Sequence, residues 1–140
     1  VLRAEGACAP RREGRGARDL DARRAAALCT RNVAFHPDGK AAIIARPPAL
    51  PLLVGGVGAH DLELAALCSS ALWALLSRCE RAKAALRRGD LIERLAAAEK
   101  GLAAMAMVDG ATADALQLAL RNLDAVALLL GQAPDRLRAR

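Results

Sequence analysis

The chain has 140 residues, 54 % of them hydrophobic, and a formal net charge of +6; that length accommodates one core rather than two. Its 35 alanines and 24 leucines are strong helix formers, and strand formers are too scarce for an all-β fold. The most apolar stretches are broken by Glu63 in 62–76 and by Asp114, Arg121 and Asp124 in 111–131, short of the roughly 20 clean apolar residues of a membrane span, so a soluble, all-α protein is expected.

Residues 1–18 hold five arginines against two glutamates among Gly and Ala. They lack the apolar groups that offset ordering entropy, and a disordered basic tail is expected there. The first residue is Val1, with no charged-then-apolar leader after it, so the sequence reads as a piece of a longer chain. A helical domain is expected over 19–133, with a second basic tail over 134–140. Within 19–133 the charges nearly cancel, at 13 basic against 12 acidic residues. With only two aromatics in the chain, that balance disfavours nucleic-acid binding.

Asp19 and Asp21 stand before an Ala-rich helix with Leu20, Ala27 and Leu28 at apolar positions, ending before His36-Pro37-Asp38-Gly39. Short helices come next over 40–45 and 50–57, punctuated by Arg46-Pro47-Pro48 and by Gly55, Gly56 and Gly58. Asp61 suits the cap of a long helix in which Leu62, Leu72, Leu75 and Leu76 recur at helical spacing around an anchoring Trp73. Residues 80–88 form a short amphipathic piece closed by Gly89-Asp90. A helix over 91–107 then turns Leu91, Ile92, Leu95, Ala98 and Leu102 inward. Past Asp109-Gly110, a final helix from Thr112 ends at Gly131 with Pro134 beyond.

Three segments align. Leu28-Cys29-Thr30-Arg31-Asn32, Trp73-Ala74-Leu75-Leu76-Ser77 and Leu118-Ala119-Leu120-Arg121-Asn122 recur every 45 residues, and Lys40-Ala41-Ala42-Ile43 returns 43 residues later as Lys83-Ala84-Ala85-Leu86. The period lies within the roughly 40–47 residues of armadillo and HEAT repeats. The order of short, middle and long helix is that of armadillo. An armadillo-like α-solenoid of two to three repeats is therefore expected, with Leu28, Trp73 and Leu118 in its core.

No active site is legible. His36 and His60 read as corner residues, and Gly55-Gly56-Val57-Gly58 lacks the strand and the Gly-Lys-Ser/Thr of a phosphate loop. Glu63, Glu80, Glu93 and Glu99 read as solvated faces. Cys8, Cys29, Cys68 and Cys79 show no C-x-x-C pair, so neither metal nor cofactor is expected; they read as free thiols, Cys29 and Cys68 buried, in a reducing compartment. What remains is surface. Arg78, Arg81, Lys83, Arg87, Arg88 and Arg94 form a cationic cluster suited to an acidic helix or peptide. Asn32, Ser77 and Asn122 occupy equivalent places where a partner backbone can be met.

Arg31-Asn32-Val33-Ala34-Phe35-His36, Ala71-Leu72-Trp73-Ala74-Leu75-Leu76 and Arg81-Ala82-Lys83-Ala84-Ala85-Leu86, taken in order, resemble the C-terminal end of the rotatin family of long armadillo-repeat proteins. The resemblance covers residues 31 to 100 and departs from the family in 46–58 and in Ser77-Arg78-Cys79. It implies a non-enzymatic scaffold in the cytoplasm, at the centrosome and the basal body of the cilium, that binds centriolar assembly factors. The alternative is an armadillo peptide-binding adaptor for transport or for ubiquitin-ligase substrates.

Overall fold

The computed structural model describes the backbone of residues 2–109 and 114–131, and the side chains of residues 16–107 and 114–131. Seven helices and no strand occur among the described residues: α1 (Leu2–Val33), α2 (Pro37–Ile44), α3 (Ala49–Val57), α4 (Leu62–Leu76), α5 (Glu80–Arg87), α6 (Leu91–Asp109) and α7 (Asp114–Leu129). The expected helix start at Asp19 is not observed, because α1 begins at Leu2 and carries the anticipated tail with it. Four alanines and five arginines in 2–18 favour a helix there, against the opposing preference of Pro10 and of Gly6, Gly14 and Gly16. The expected start at Thr112 and the 134–140 tail lie outside the described residues.

Local chemistry sets the ends. Pro37 opens α2 at its first position, where its missing N–H is not needed, so α2 begins three residues ahead of the expected Lys40. The Asp61 carboxylate accepts the Leu64 amide at 2.9 Å and caps α4, and the Arg24 guanidinium of α1 grips the same carboxylate at 2.6 and 3.0 Å. Gly131, at φ 76°, ends the last turn after α7, a conformation that needs no Cβ.

The helices pack in rows, each of the first four on the helix three places on: α1 on α4, α2 on α5, α3 on α6 and α4 on α7. α4, which also meets α3, is the centre, with ten of its fifteen residues buried. Leu64, Leu72, Leu75 and Leu76 of α4 join Val54, Val57, Leu86, Leu116, Leu123 and Val126 in one core. Each fully buried side chain of this size contributes about 2 kcal/mol. Gly39 lets α2 start against the end of α1, since a Cβ there would run into the Val33 carbonyl, 2.9 Å from its carbon.

The expected core anchors are not in the core: Leu28 is 40 %, Trp73 39 % and Leu118 40 % exposed. Their neighbours Ala27, Ala74 and Ala119 are buried instead. Close helix contacts favour the small residue, and in an Ala-rich helix every face looks apolar, so periodicity leaves the inward face undetermined. Glu99, read as solvated, is fully enclosed, and Cys29, read as buried, is exposed. No single helix among the described residues is long and apolar enough to cross a membrane; α2 and α3 pass such a test only together, and they are bent by 95° at their junction.

Candidate interaction groove between α2 and α5

α5 is amphipathic with a single phase. Ala82 and Leu86 enter the core, while Arg81, Ala84, Ala85 and Arg88, at i, i+3, i+4 and i+7, face a cavity of about 530 Å3. Its opposite wall comes from the α2–α3 corner, with Ile44, Arg46 and Leu50, and Leu91 closes one end. A second cavity, of about 370 Å3, lies between the α1–α2 and α4–α5 corners and is lined by Phe35, Lys40, Ile44, Arg78 and Arg81. Ile44 and Arg81 belong to both, so the two form one groove between α2 and α5.

Five cations line this groove, namely Lys40, Arg46, Arg78, Arg81 and Arg88, and no acidic side chain does. Among the described residues the four arginines make no ion pair. Lys40 Nζ donates to the Ser77 carbonyl and ties α2 to the α4–α5 corner. Arg78 sits at φ 55°, left-handed backbone that a non-glycine residue adopts only under local constraint, and such strain gathers at functional surfaces. Like charges over an aliphatic floor focus a positive potential, and planar guanidinium groups suit bidentate carboxylate binding.

The other residues expected at the site are directed elsewhere. Lys83 pairs with Glu80 at 3.0 Å, and Arg87 donates to the Leu130 carbonyl at 3.2 Å, closing the end of α7. Both lie on a different stripe of α5 from Arg81 and Arg88, which helical phase separates. Arg94 lines a separate cavity, of about 370 Å3, beside Gly55 and Gly58. The Ser77 hydroxyl donates to the Trp73 carbonyl at 2.7 Å, a local end-of-helix bond. Asn122 Nδ2 donates to Ser70 Oγ at 2.7 Å and Ser69 Oγ at 3.2 Å, binding α7 to α4 rather than meeting a partner. Asn32 is exposed, with its amide oxygen 3.3 Å from an Arg31 nitrogen, on α1 outside the groove. Lys40, Arg46 and Phe35 were missed, although the 43-residue correspondence between Lys40 and Lys83 sets α2 beside α5.

A fourth cavity, of about 260 Å3, opens between α1, α3 and α4, walled by Ala27, Leu53, Gly56 and Cys68. Burial pushes the Cys68 thiol up to about 11, leaving it a poor nucleophile at neutral pH. Neither histidine lines any of these four cavities, and among the described residues no three His, Cys, Asp or Glu side chains gather to hold a metal ion.

Fold and groove together define an all-helical protein with a cationic cleft. No protein-family model matches the chain, and neither a curated protein nor a solved structure is significantly similar to it.

Proposed function

We propose that the chain is a non-enzymatic, armadillo-like interaction scaffold that takes an acidic segment of a partner protein in the groove between α2 and α5. The observation that carries this reading is a cleft lined by five cations and no carboxylate. The repeat architecture is supported by helices that pack on the helix three places on, at a sequence period of 45 residues. A role among centriole and basal-body assembly factors rests on the resemblance to the rotatin family alone.

Proximity labelling in ciliated cells tests both levels, using the parent chain beside a variant with Arg46, Arg81 and Arg88 changed to Glu. Enrichment of centriolar and basal-body proteins, lost in the charge-reversed variant, is the expected result. Enrichment of import cargo or ubiquitin-ligase substrates, again lost in the variant, replaces the centriolar role with that of a peptide adaptor. A set of neighbours unchanged by charge reversal removes the groove from the proposal.

A further inference from the structure

The chain has one Phe and one Trp and no Tyr, and the fold places both aromatics outside the core. Phe35 is 54 % exposed; its ring meets that of Trp73 edge-on, with centroids 6.3 Å apart and planes at 74°. A protein that fills its core with Leu, Val and Ala and leaves its whole aromatic content at one surface point has an anchor there. Exposed aromatics are the side chains most often responsible for interface affinity.

The position of the pair matters. Phe35 stands on the α1–α2 corner and Trp73 on the last turn of α4, so the pair spans the two corners that Lys40 and Ser77 also join. Phe35 shares a cavity wall with Lys40, Arg78 and Arg81, and Arg81 continues into the cavity of Arg46 and Arg88. The Phe35 end of the groove therefore joins an aromatic ring to Lys40 and Arg78, the other end carries Arg46 and Arg88, and Trp73 reaches the groove only through its contact with Phe35. The aromatic end is built in advance: the His36 amide donates to the Val33 carbonyl at 3.2 Å, and Gly39 is seated beneath that same carbonyl. A preformed anchor loses little entropy on binding.

We infer that the groove selects acidic segments bearing a large apolar side chain at one end, which Phe35, held by Trp73, receives while Arg46, Arg81 and Arg88 hold the carboxylates. This rests on the proposed function and names the partner's chemistry. Single-stranded nucleic acid fits less well. An edge-on pair offers no parallel platform for successive bases, the lining supplied by Ile44, Leu50 and Leu91 is aliphatic, and residues 19–133 carry almost no net charge.

Trp73 is the sole tryptophan, so its emission reports binding directly. Purified chain is titrated at low ionic strength with an all-glutamate peptide, with the same peptide carrying one phenylalanine at either end, and with oligouridine. At least one phenylalanine peptide is expected to bind at least about fivefold more tightly than the all-glutamate peptide and to shift Trp73 emission. Phe35→Ala, checked for fold by circular dichroism, removes that advantage. Arg46→Glu with Arg88→Glu weakens all the acidic peptides while the advantage persists.

Equal affinity for the peptides with and without phenylalanine overturns this inference and leaves acidic recognition intact. If none of the acidic peptides binds, both fail together. Tighter binding of oligouridine than of any peptide overturns the inference in favour of nucleic acid. The peptide comparison needs no protein variant, so a folding defect in Phe35→Ala leaves the question decidable.

Discussion

Gly39→Ala is the sharpest test of the corner that carries Phe35 and Lys40. An added methyl meets backbone, the Val33 carbonyl, together with Val33 Cγ1 at 2.6 Å, and the carbonyl has no rotamer by which to yield. Overpacking costs about 1–3 kcal/mol, a methyl driven into backbone lies at the upper end, and the higher helix propensity of Ala returns at most about 1 kcal/mol, leaving a net loss of about 2 kcal/mol. In a chain of this size that lowers the melting temperature by about 4–8 °C. Gly101 is the matched control, since it lies within α6 with no atom within 4 Å of the site of an added methyl. Gly101→Ala is expected to stabilise by about 0.5–1 kcal/mol through propensity alone. Thermal and urea unfolding, monitored by helical ellipticity, measure both. A Gly39→Ala protein that melts at or above the parent refutes the close seating of α2 on α1, and with it the rigidity claimed for the aromatic end of the groove.

Leu72→Ala removes a fully buried side chain and is expected to cost about 2–5 kcal/mol in urea unfolding, whereas Trp73→Ala, partly exposed and lost mainly from its pair with Phe35, costs about 1–2 kcal/mol. The reverse order would return Trp73 to the core. Asp61→Asn keeps a cap for α4, and Asp61→Ala is less stable than it by about 1 kcal/mol. The hydrogen bonds from Arg24, helped by the Leu64 amide and opposed by burial, hold the Asp61 carboxyl below its ordinary 3.8. Its extra stability over Asn is thus complete above that value and vanishes as pH falls through the lowered one, so melting curves of parent and Asp61→Asn converge in strong acid. Asn122→Ala, which breaks the bonds to Ser69 and Ser70, costs about 1 kcal/mol and leaves affinity for the glutamate peptides unchanged by calorimetry.

How far these features were legible depends on how much each owes to neighbours in sequence. α4 has the bounds its sequence announces, because Asp61 before it and Ser77 after it act within a turn of its ends. α2 starts earlier than its pattern suggested because Pro37 both interrupts the helix before it and opens the next one. The inward faces were harder: Leu28, Trp73 and Leu118 share one degree of exposure, as equivalent positions should, yet the Ala beside each is what the neighbouring helix touches. Only one wall of the groove was visible. In sequence Arg81 and Arg88 stand among Lys83 and Arg87, and only helical phase sets the two pairs apart. Lys40 on α2 and Arg46 on the corner after it lie some forty residues earlier and join Arg81 and Arg88 only through the packing of α2 on α5.

Because α4 packs against α1, α3 and α7 and buries ten of its fifteen residues, most of its amides are expected to exchange only after one of those neighbours has moved away. The protein accordingly has a slow centre and faster edges in hydrogen exchange. A ligand that clamps Phe35 to Trp73 joins the α1–α2 corner to that slow centre, so occupation of the groove is felt as slower opening of the first row.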